Sequence, residues 1–134
     1  MLSLLHKKAY QEFITLLYDW QKIFVSHDSK ASEANLTISN YDVDQVVEIK
    51  QKFADLQQFF QQEIMILTEA ELDSKVTGLW RSLHTEIQRE FRLLSTDILF
   101  LASSRQASTR ETRLKLINER ITKLIAYCQK ILDI

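Results

Sequence analysis

The sequence predicts an all-α protein, an antiparallel four-helix bundle of long helices. Its 134 residues include one glycine and no proline, and apolar residues recur at helical spacing in four long segments. β-Hairpins need turn residues and phosphate-binding loops need several glycines, so β-sandwiches, doubly wound α/β folds and P-loop enzymes are excluded. The length is that of one domain, which we assign to residues 1–134.

The first predicted helix spans about residues 2–27. Its apolar residues follow steps of three and four, which places them on one buried stripe of an α-helix. Tyr10, Leu17 and Phe24 widen this stripe. The stripe itself consists of Leu2, Leu5, Ala9, Phe13, Leu16, Trp20 and Ile23.

Three further helices are predicted at about residues 43–67, 74–103 and 109–132. Asp73 or Ser74 is the expected N-cap of the third helix, and Ser108 with Glu111 forms a capping box for the fourth. The connectors after the second and third helices are short, which favours antiparallel neighbours. The connector before the second helix, about residues 28–41, is longer and allows a less regular crossing.

The net charge and the hydropathy exclude two kinds of partner. A formal net charge of −1 argues against nucleic-acid binding, which needs a large cationic surface. No apolar run approaches the roughly 20 residues that span a bilayer, and the apolar start at Met1–Leu5 is too short for the core of a signal peptide. We therefore expect a cytoplasmic protein without membrane insertion.

Charge is distributed unevenly along the chain. Residues 31–72 carry two lysines against eight acids, whereas residues 105–134 carry seven bases against three acids. One interpretation is that the second and fourth helices lie side by side and neutralise each other. The other is that the basic end near Arg105, Arg110 and Arg113 attracts an acidic protein partner.

The patterns that catalysis or metal binding requires are missing. None of His6, His27 and His84 follows a glutamate by three residues, the arrangement by which helical bundles hold metal ions. Cys128 lies on the apolar stripe of the fourth helix, where a thiol packs as a small hydrophobic side chain. We predict a protein that is not an enzyme, with no catalytic residue, metal or cofactor.

Asp97 borders the apolar stripe of the third helix, between Leu94 and Leu101. A buried carboxylate without a partner is strongly unfavourable. We therefore predict that Asp97 forms a structural polar contact across helices, to Arg113 or Arg120.

Several short motifs lie in residues 72–132. They are Leu72-Asp73, Trp80, Thr85-Glu86-Ile87, Arg92-Leu93-Leu94, Thr96-Asp97, Phe100-Leu101, Arg105-Gln106-Ala107, Arg120-Ile121 and Leu124-Ile125-Ala126-Tyr127-Cys128-Gln129. In these motifs the chain resembles the cyanobacterial PatD family of heterocyst frequency control proteins. Earlier residues resemble that family only in length and helical character.

The resemblance implies a cytosolic protein that binds the tubulin-like division protein FtsZ. Such a protein promotes the assembly or bundling of FtsZ filaments and so influences cell size and heterocyst frequency. The resemblance supplies no binding motif, so we choose candidate partner-binding residues by charge and expected exposure: Arg81, Arg89, Arg92, Arg105, Arg110 and Arg113. Filaments could be cross-linked either by one rod with two partner-facing surfaces or by a homodimer of such rods.

Two other functions stay open at this stage. Apolar residues expected at the surface, among them Ile66, Phe100 and one of Phe59 and Phe60, are typical of an oligomer interface or of an adaptor for a different protein. Alternatively, aromatic side chains enclose a lipid or pigment inside the bundle. The aromatic residues concerned are Phe13, Trp20, Phe60, Trp80 and Phe91.

Overall fold

A computed structural model describes residues 2–34, 43–70 and 72–134, and within these ranges all regular structure is helical. The helices are α1 (Leu4–Ala34), α2 (Val43–Phe59), a π-helix that continues α2 (Phe60–Ile64), α3 (Ser74–Ser103) and α4 (Ala107–Leu132). The prediction of an all-α fold is confirmed. None of the described helices contains a stretch long and apolar enough to cross a membrane.

The predicted bounds agree with the structure for the third helix and differ elsewhere. α1 continues to Ala34 instead of ending near residue 27, because residues 28–34 include no helix breaker and several good helix formers. The second half of the predicted first connector lies within residues 35–42, which are outside the described residues. The segment predicted as one helix over 43–67 changes from α- to π-helix at Phe60.

Side chains cap two of the helices. The Ser3 hydroxyl accepts a hydrogen bond from the His6 backbone N–H at 3.2 Å, and the Asp73 carboxylate accepts one from the Lys75 backbone N–H at 3.1 Å. The capping box at Ser108 is wrong. α4 begins at Ala107, and its N-cap Gln106 makes no side-chain capping bond, so Ser108 already lies inside the helix.

Each helix packs against its neighbours in sequence, and α1 closes the bundle against α4. Trp20 lies against Phe53 and Phe13 against Phe60, so α1 and α2 run in opposite directions. Within the described ranges, α2 does not neighbour α4. The expectation that these two helices lie side by side and neutralise each other is therefore wrong, since they occupy diagonal corners.

The buried stripe of α1 is rotated from the predicted one. Leu5 is 54% exposed and Leu16 is 37% exposed, whereas Tyr10, Leu17 and Phe24 are buried. The predicted and the observed stripe have the same helical spacing and share Leu2, Ala9, Phe13 and Trp20. The positions of the neighbouring helices decide which stripe is buried.

Aromatic rings fill the centre of the bundle. Phe91 stacks on Phe60 with ring centroids 4.2 Å apart and on Phe53 at 5.3 Å, while Phe13 lies 5.9 Å from Phe91. These side chains pack directly against one another. The hypothesis of a lipid or pigment bound among Phe13, Phe60 and Phe91 stays a prediction.

The π-helix separates two neighbouring phenylalanines. The Met65 N–H donates to the Phe60 carbonyl at 2.9 Å, a bond that spans five residues and widens the turn. Phe59 stacks on Phe13 of α1 with centroids 6.1 Å apart, whereas Phe60 stacks on Phe91 of α3. Phe59 is thus half-buried against α1, whereas Phe60 is buried and contacts both Phe13 and Phe91.

Candidate functional site

Charged side chains form a network in the seam between α3 and α4. Arg120 Nε donates to Asp97 Oδ2 at 2.5 Å, and Arg120 Nη1 donates to Glu90 Oε1 at 3.2 Å. Arg113 Nη1 lies 3.5 Å from Asp97 Oδ1, and Arg89 Nη1 donates to Glu90 Oε2 at 3.2 Å. We call Glu90, Asp97, Arg113 and Arg120 the α3–α4 ion network. The predicted contact of Asp97 with Arg113 or Arg120 is confirmed for both.

The carboxylates of this network are buried and the arginines lie at its edge. The side chains of Glu90 and Asp97 are 2% and 7% exposed, and that of Arg120 is 25% exposed. Burial works to lower the pKa of Arg120, but the hydrogen bonds and charges of Asp97 and Glu90 outweigh it and raise that pKa above its ordinary value. Arg120 is therefore firmly charged and pairs with both acids, while Arg89 and Arg113 supply further positive charge.

Sequence reasoning found Asp97 and missed Glu90. The two acids are seven residues apart on α3, as are Arg113 and Arg120 on α4. Residues seven apart lie two turns from each other on one helical face. The acids on α3 and the arginines on α4 therefore have the same seven-residue spacing. On two antiparallel helices, this shared spacing predicts that both acids and both arginines meet.

We expect Asp97→Asn to lower the free energy of unfolding by about 2 kcal/mol, because it removes a charge that Arg120 and Arg113 hold in place. The matched control is Asp55→Asn, at an exposed position on α2, which should change stability by less than about 0.5 kcal/mol. Urea unfolding of both variants checks this. Equal midpoints for the two variants would refute a structural role for Asp97.

The six arginines predicted to bind a partner lie in several separate places. Arg81 donates to both carboxylate oxygens of Glu69, at 2.8 and 2.7 Å, near the α2–α3 connector. Arg89 pairs with Glu86 and Glu90. Arg92 is exposed, lies about three turns before the end of α3, and makes no ion pair with any described residue.

Arg105, Arg110 and Arg113 do lie at one end of the bundle, around the connector from α3 to α4. Arg113 is engaged there, with its guanidinium carbon 4.6 Å from the centroid of the Phe100 ring and its charge on Asp97. Arg105 is exposed and Arg110 is half-buried, with an Nε that has no hydrogen-bond partner among the described residues. We call Arg105 and Arg110 the basic tip.

A groove opens between the π-helix and α3. It has a volume of about 410 Å³. Gln57 and Met65 line one wall, and Gln88 and Arg92 of α3 line the other. The stacked rings of Phe60 and Phe91 line it as well. Sequence reasoning did not foresee this groove, because it depends on the π-helix.

A second polar cluster is buried at the opposite end of α3. Trp80 Nε1 donates to the Tyr10 hydroxyl at 3.1 Å, and that hydroxyl lies 2.7 Å from His84 Nδ1. The Tyr10 hydroxyl oxygen accepts from Trp80, and the tautomer of the His84 ring sets which partner donates in the bond between Tyr10 and His84. Burial, assisted by the charge of His6, lowers the pKa of His84 to about 4.

His6 joins this cluster to the connector between α2 and α3. Its Nε2 donates to the Thr68 carbonyl at 2.9 Å, and its Nδ1 lies 2.6 Å from the Ser3 hydroxyl. Its ring meets the Trp80 ring edge to face with centroids 5.6 Å apart. We call His6, Tyr10, Trp80 and His84 the histidine cluster, which ties the start of α1 to α3.

Two further titratable groups, Cys128 and Tyr10, are buried in the core. Cys128 is fully buried, as predicted for a core residue, and burial raises the pKa of its thiol, which disfavours the nucleophilic thiolate. Burial also raises the pKa of Tyr10. Among the described residues, no three His, Cys, Asp or Glu side chains come together as metal ligands would.

The fold places this chain in the class of all-α helical bundles, with charged and groove-forming surfaces on a closed apolar core. Comparison with known protein families finds no match, and comparisons with curated proteins and with solved structures find none either.

Proposed function

We propose that this chain is a non-enzymatic cytoplasmic regulator of cell division that binds FtsZ and promotes the assembly or bundling of its filaments. In a heterocyst-forming cyanobacterium it would thereby influence cell size and heterocyst frequency. The observation that carries the proposal is the resemblance of residues 72–132 to the PatD family.

The residues of this resemblance have clear structural roles. Asp97 belongs to the α3–α4 ion network, Phe100 lies under the Arg113 guanidinium, and Leu101 and Cys128 are core residues. The motifs thus build the α3–α4 half of the bundle and its basic end. This supports a helical framework shared with that family. The choice of FtsZ as partner rests on the resemblance alone.

The basic tip is the surface that we assign to the acidic partner. Arg105 and Arg110 lie beside the short α3–α4 connector, and no described acid forms an ion pair with either. Arg81, Arg89 and Arg113 are less suited, because carboxylates of this chain already neutralise them. Exposed charges of this kind chiefly raise the rate of association and are screened by salt.

The double variant Arg105→Glu/Arg110→Glu is expected to abolish co-sedimentation with polymerised FtsZ at low salt, because it reverses the charge of the tip. Arg113 stays unchanged, since its reversal would place a carboxylate beside buried Asp97 and disturb the fold. The control is Lys50→Glu/Lys52→Glu, with the same change in net charge on the exposed side of α2. Thermal melting should show that both variants remain folded.

The possible results distinguish a wrong binding surface from a wrong partner. If wild type co-sediments and both double variants follow it equally, the basic tip does not bind FtsZ. If wild type itself stays in the supernatant across protein and salt concentrations, FtsZ is not the partner.

A structural subunit that oligomerises is the second candidate. Leu99 is 65% exposed and its neighbour Phe100 is 48% exposed, and adjacent apolar side chains at a surface favour an interface. Sedimentation velocity at several concentrations tests this. A constant monomeric mass would remove it, and a dimer that dissociates on Leu99→Glu substitution would support it.

A further inference from the structure

The groove between the π-helix and α3 combines an apolar lining with polar groups at its sides. The apolar part consists of the Phe60 and Phe91 rings and the Met65 side chain, which is 47% exposed. α3 packs far more extensively against α4 than against α2, so the seam in which the groove opens is the looser one. An apolar floor bordered by a few polar groups is the usual composition of a binding site.

The polar groups define the ligand that fits. Among the described residues that line the groove, Arg92 is the one that carries a charge, so their local charge is positive and favours an anion. Gln57 and Gln88 provide amides on opposite walls, and each amide can both donate and accept hydrogen bonds. No described residue hydrogen-bonds to the side chains of these three residues.

We propose that this groove binds a short segment of a protein partner that carries an apolar side chain beside a carboxylate. The apolar side chain packs on Phe60, Phe91 and Met65, and the carboxylate pairs with Arg92. This inference rests on the proposed role as a protein-binding module, but it does not depend on which protein is the partner.

A peptide fits the groove better than a small amphiphile does. The groove is open to solvent along the seam and not enclosed, whereas small-ligand pockets bury most of their ligand. The glutamine amides on both walls match the alternating N–H and C=O groups of a peptide backbone. An ionised fatty acid has no N–H group, so it could not donate a hydrogen bond to the carbonyl oxygen of either glutamine amide.

The π-helix supplies much of one wall. Phe60 and Gln61 belong to it, and Met65 is its C-cap. A π-turn is less favourable than an α-turn and is often found at functional sites. Methionine also adapts to different apolar partners, because its side chain is flexible and polarisable. These properties suit a surface that receives a segment from another protein.

The probe that tests this is the labelled hexapeptide acetyl-Leu-Asp-Leu-Phe-Asp-Leu-amide, followed by fluorescence anisotropy. We expect Arg92→Gln to weaken its binding about fivefold, the effect of losing one charge-assisted contact at a partly exposed site. The same peptide with Asn in place of both Asp should bind wild type and Arg92→Gln equally. Met65→Glu, which places a carboxylate in the groove, should abolish binding.

The matched control is Lys123→Gln, which removes one positive charge from an exposed position on α4 and should leave binding unchanged. In ¹H–¹⁵N spectra, the peptide should shift the side-chain amide signals of Gln57 and Gln88. Any of four results would overturn the proposal: no binding at millimolar peptide, equal binding to Arg92→Gln, an equal loss with Lys123→Gln, or octanoate displacing the peptide at equal concentration.

Failure here and failure of the FtsZ proposal are distinguishable. The hexapeptide assay contains no FtsZ, so peptide binding that depends on Arg92 supports the groove even where co-sedimentation fails. Conversely, loss of co-sedimentation in the basic-tip variant with no peptide binding in wild type would support the tip and reject the groove.

Discussion

Replacement of Arg120 by Met is expected to lower the free energy of unfolding by about 3 to 5 kcal/mol. Arg120 hydrogen-bonds to both buried carboxylates, Asp97 Oδ2 at 2.5 Å and Glu90 Oε1 at 3.2 Å. Its removal leaves Glu90 and Asp97 with only Arg89 and Arg113, which lie at the edge of the network. Because domains of this size are only about 5 to 15 kcal/mol stable, this variant should unfold at a much lower urea concentration.

A second variant distinguishes the electrostatic cause from loss of packing. In Glu90→Met/Asp97→Leu/Arg120→Met the whole buried network becomes apolar, and such replacements are often neutral or stabilising. We expect this triple variant to recover most of the stability lost in Arg120→Met. If it is less stable than Arg120→Met, the network does not act through unpaired buried charge, and packing at Arg120 is the main contribution.

Acid should destabilise the fold through His84. Its folded pKa is about 4 against an ordinary value of 6.5, so the unfolded chain binds more protons between these two pH values. The stabilisation is therefore complete above pH 6.5 and is lost as the pH falls toward 4. By pH 5 the loss should reach about 2 kcal/mol, because protonation places a positive charge on the buried His84 ring.

The comparison that isolates this effect is the His84→Gln variant. The glutamine amide can still hydrogen-bond to the Tyr10 hydroxyl but does not titrate, so the unfolding free energy of this variant should change less between pH 7 and pH 5 than that of wild type. Urea midpoints at both pH values measure the difference. Parallel pH dependence of the two proteins would mean that groups other than His84 govern acid sensitivity.

Substitutions of the central aromatic residues and of the exposed arginines should have different effects on stability. Substitutions at Phe60 or Phe91 alter the core and the groove at once, because the stacked rings serve both. Substitutions at Arg92 or Arg105 alter surface charge only. Functional variants should therefore be sought among the exposed positions, where a loss of binding is not confused with unfolding.

The number of helices and the bounds of α3 could be predicted from sequence, because they depend on local properties. Amphipathic spacing and the absence of proline act within a few turns of one helix. Asp73 as N-cap is equally local. Asp97 was predictable with its partners, because a carboxylate beside an apolar stripe has few ways to be satisfied.

Other features depended on how the helices meet. α1 offers two overlapping apolar stripes, and only packing against its neighbours selected the one with Tyr10 and Leu17. Charge totals for α2 and α4 could not reveal that these helices lie diagonally. The binding of FtsZ stays a prediction, since neither the fold nor any comparison bears on it.

By itself, the sequence determined that this chain forms long amphipathic helices around one apolar core, since burial of a helical stripe is encoded in residues three and four apart. Only the tertiary structure decided the π-turn at Phe60, the groove that contains Arg92 and the grouping of Glu90 with Asp97 and Arg120. These arise from contacts between residues distant in the chain, and spacing along one helix carries no information about the side chain it will meet.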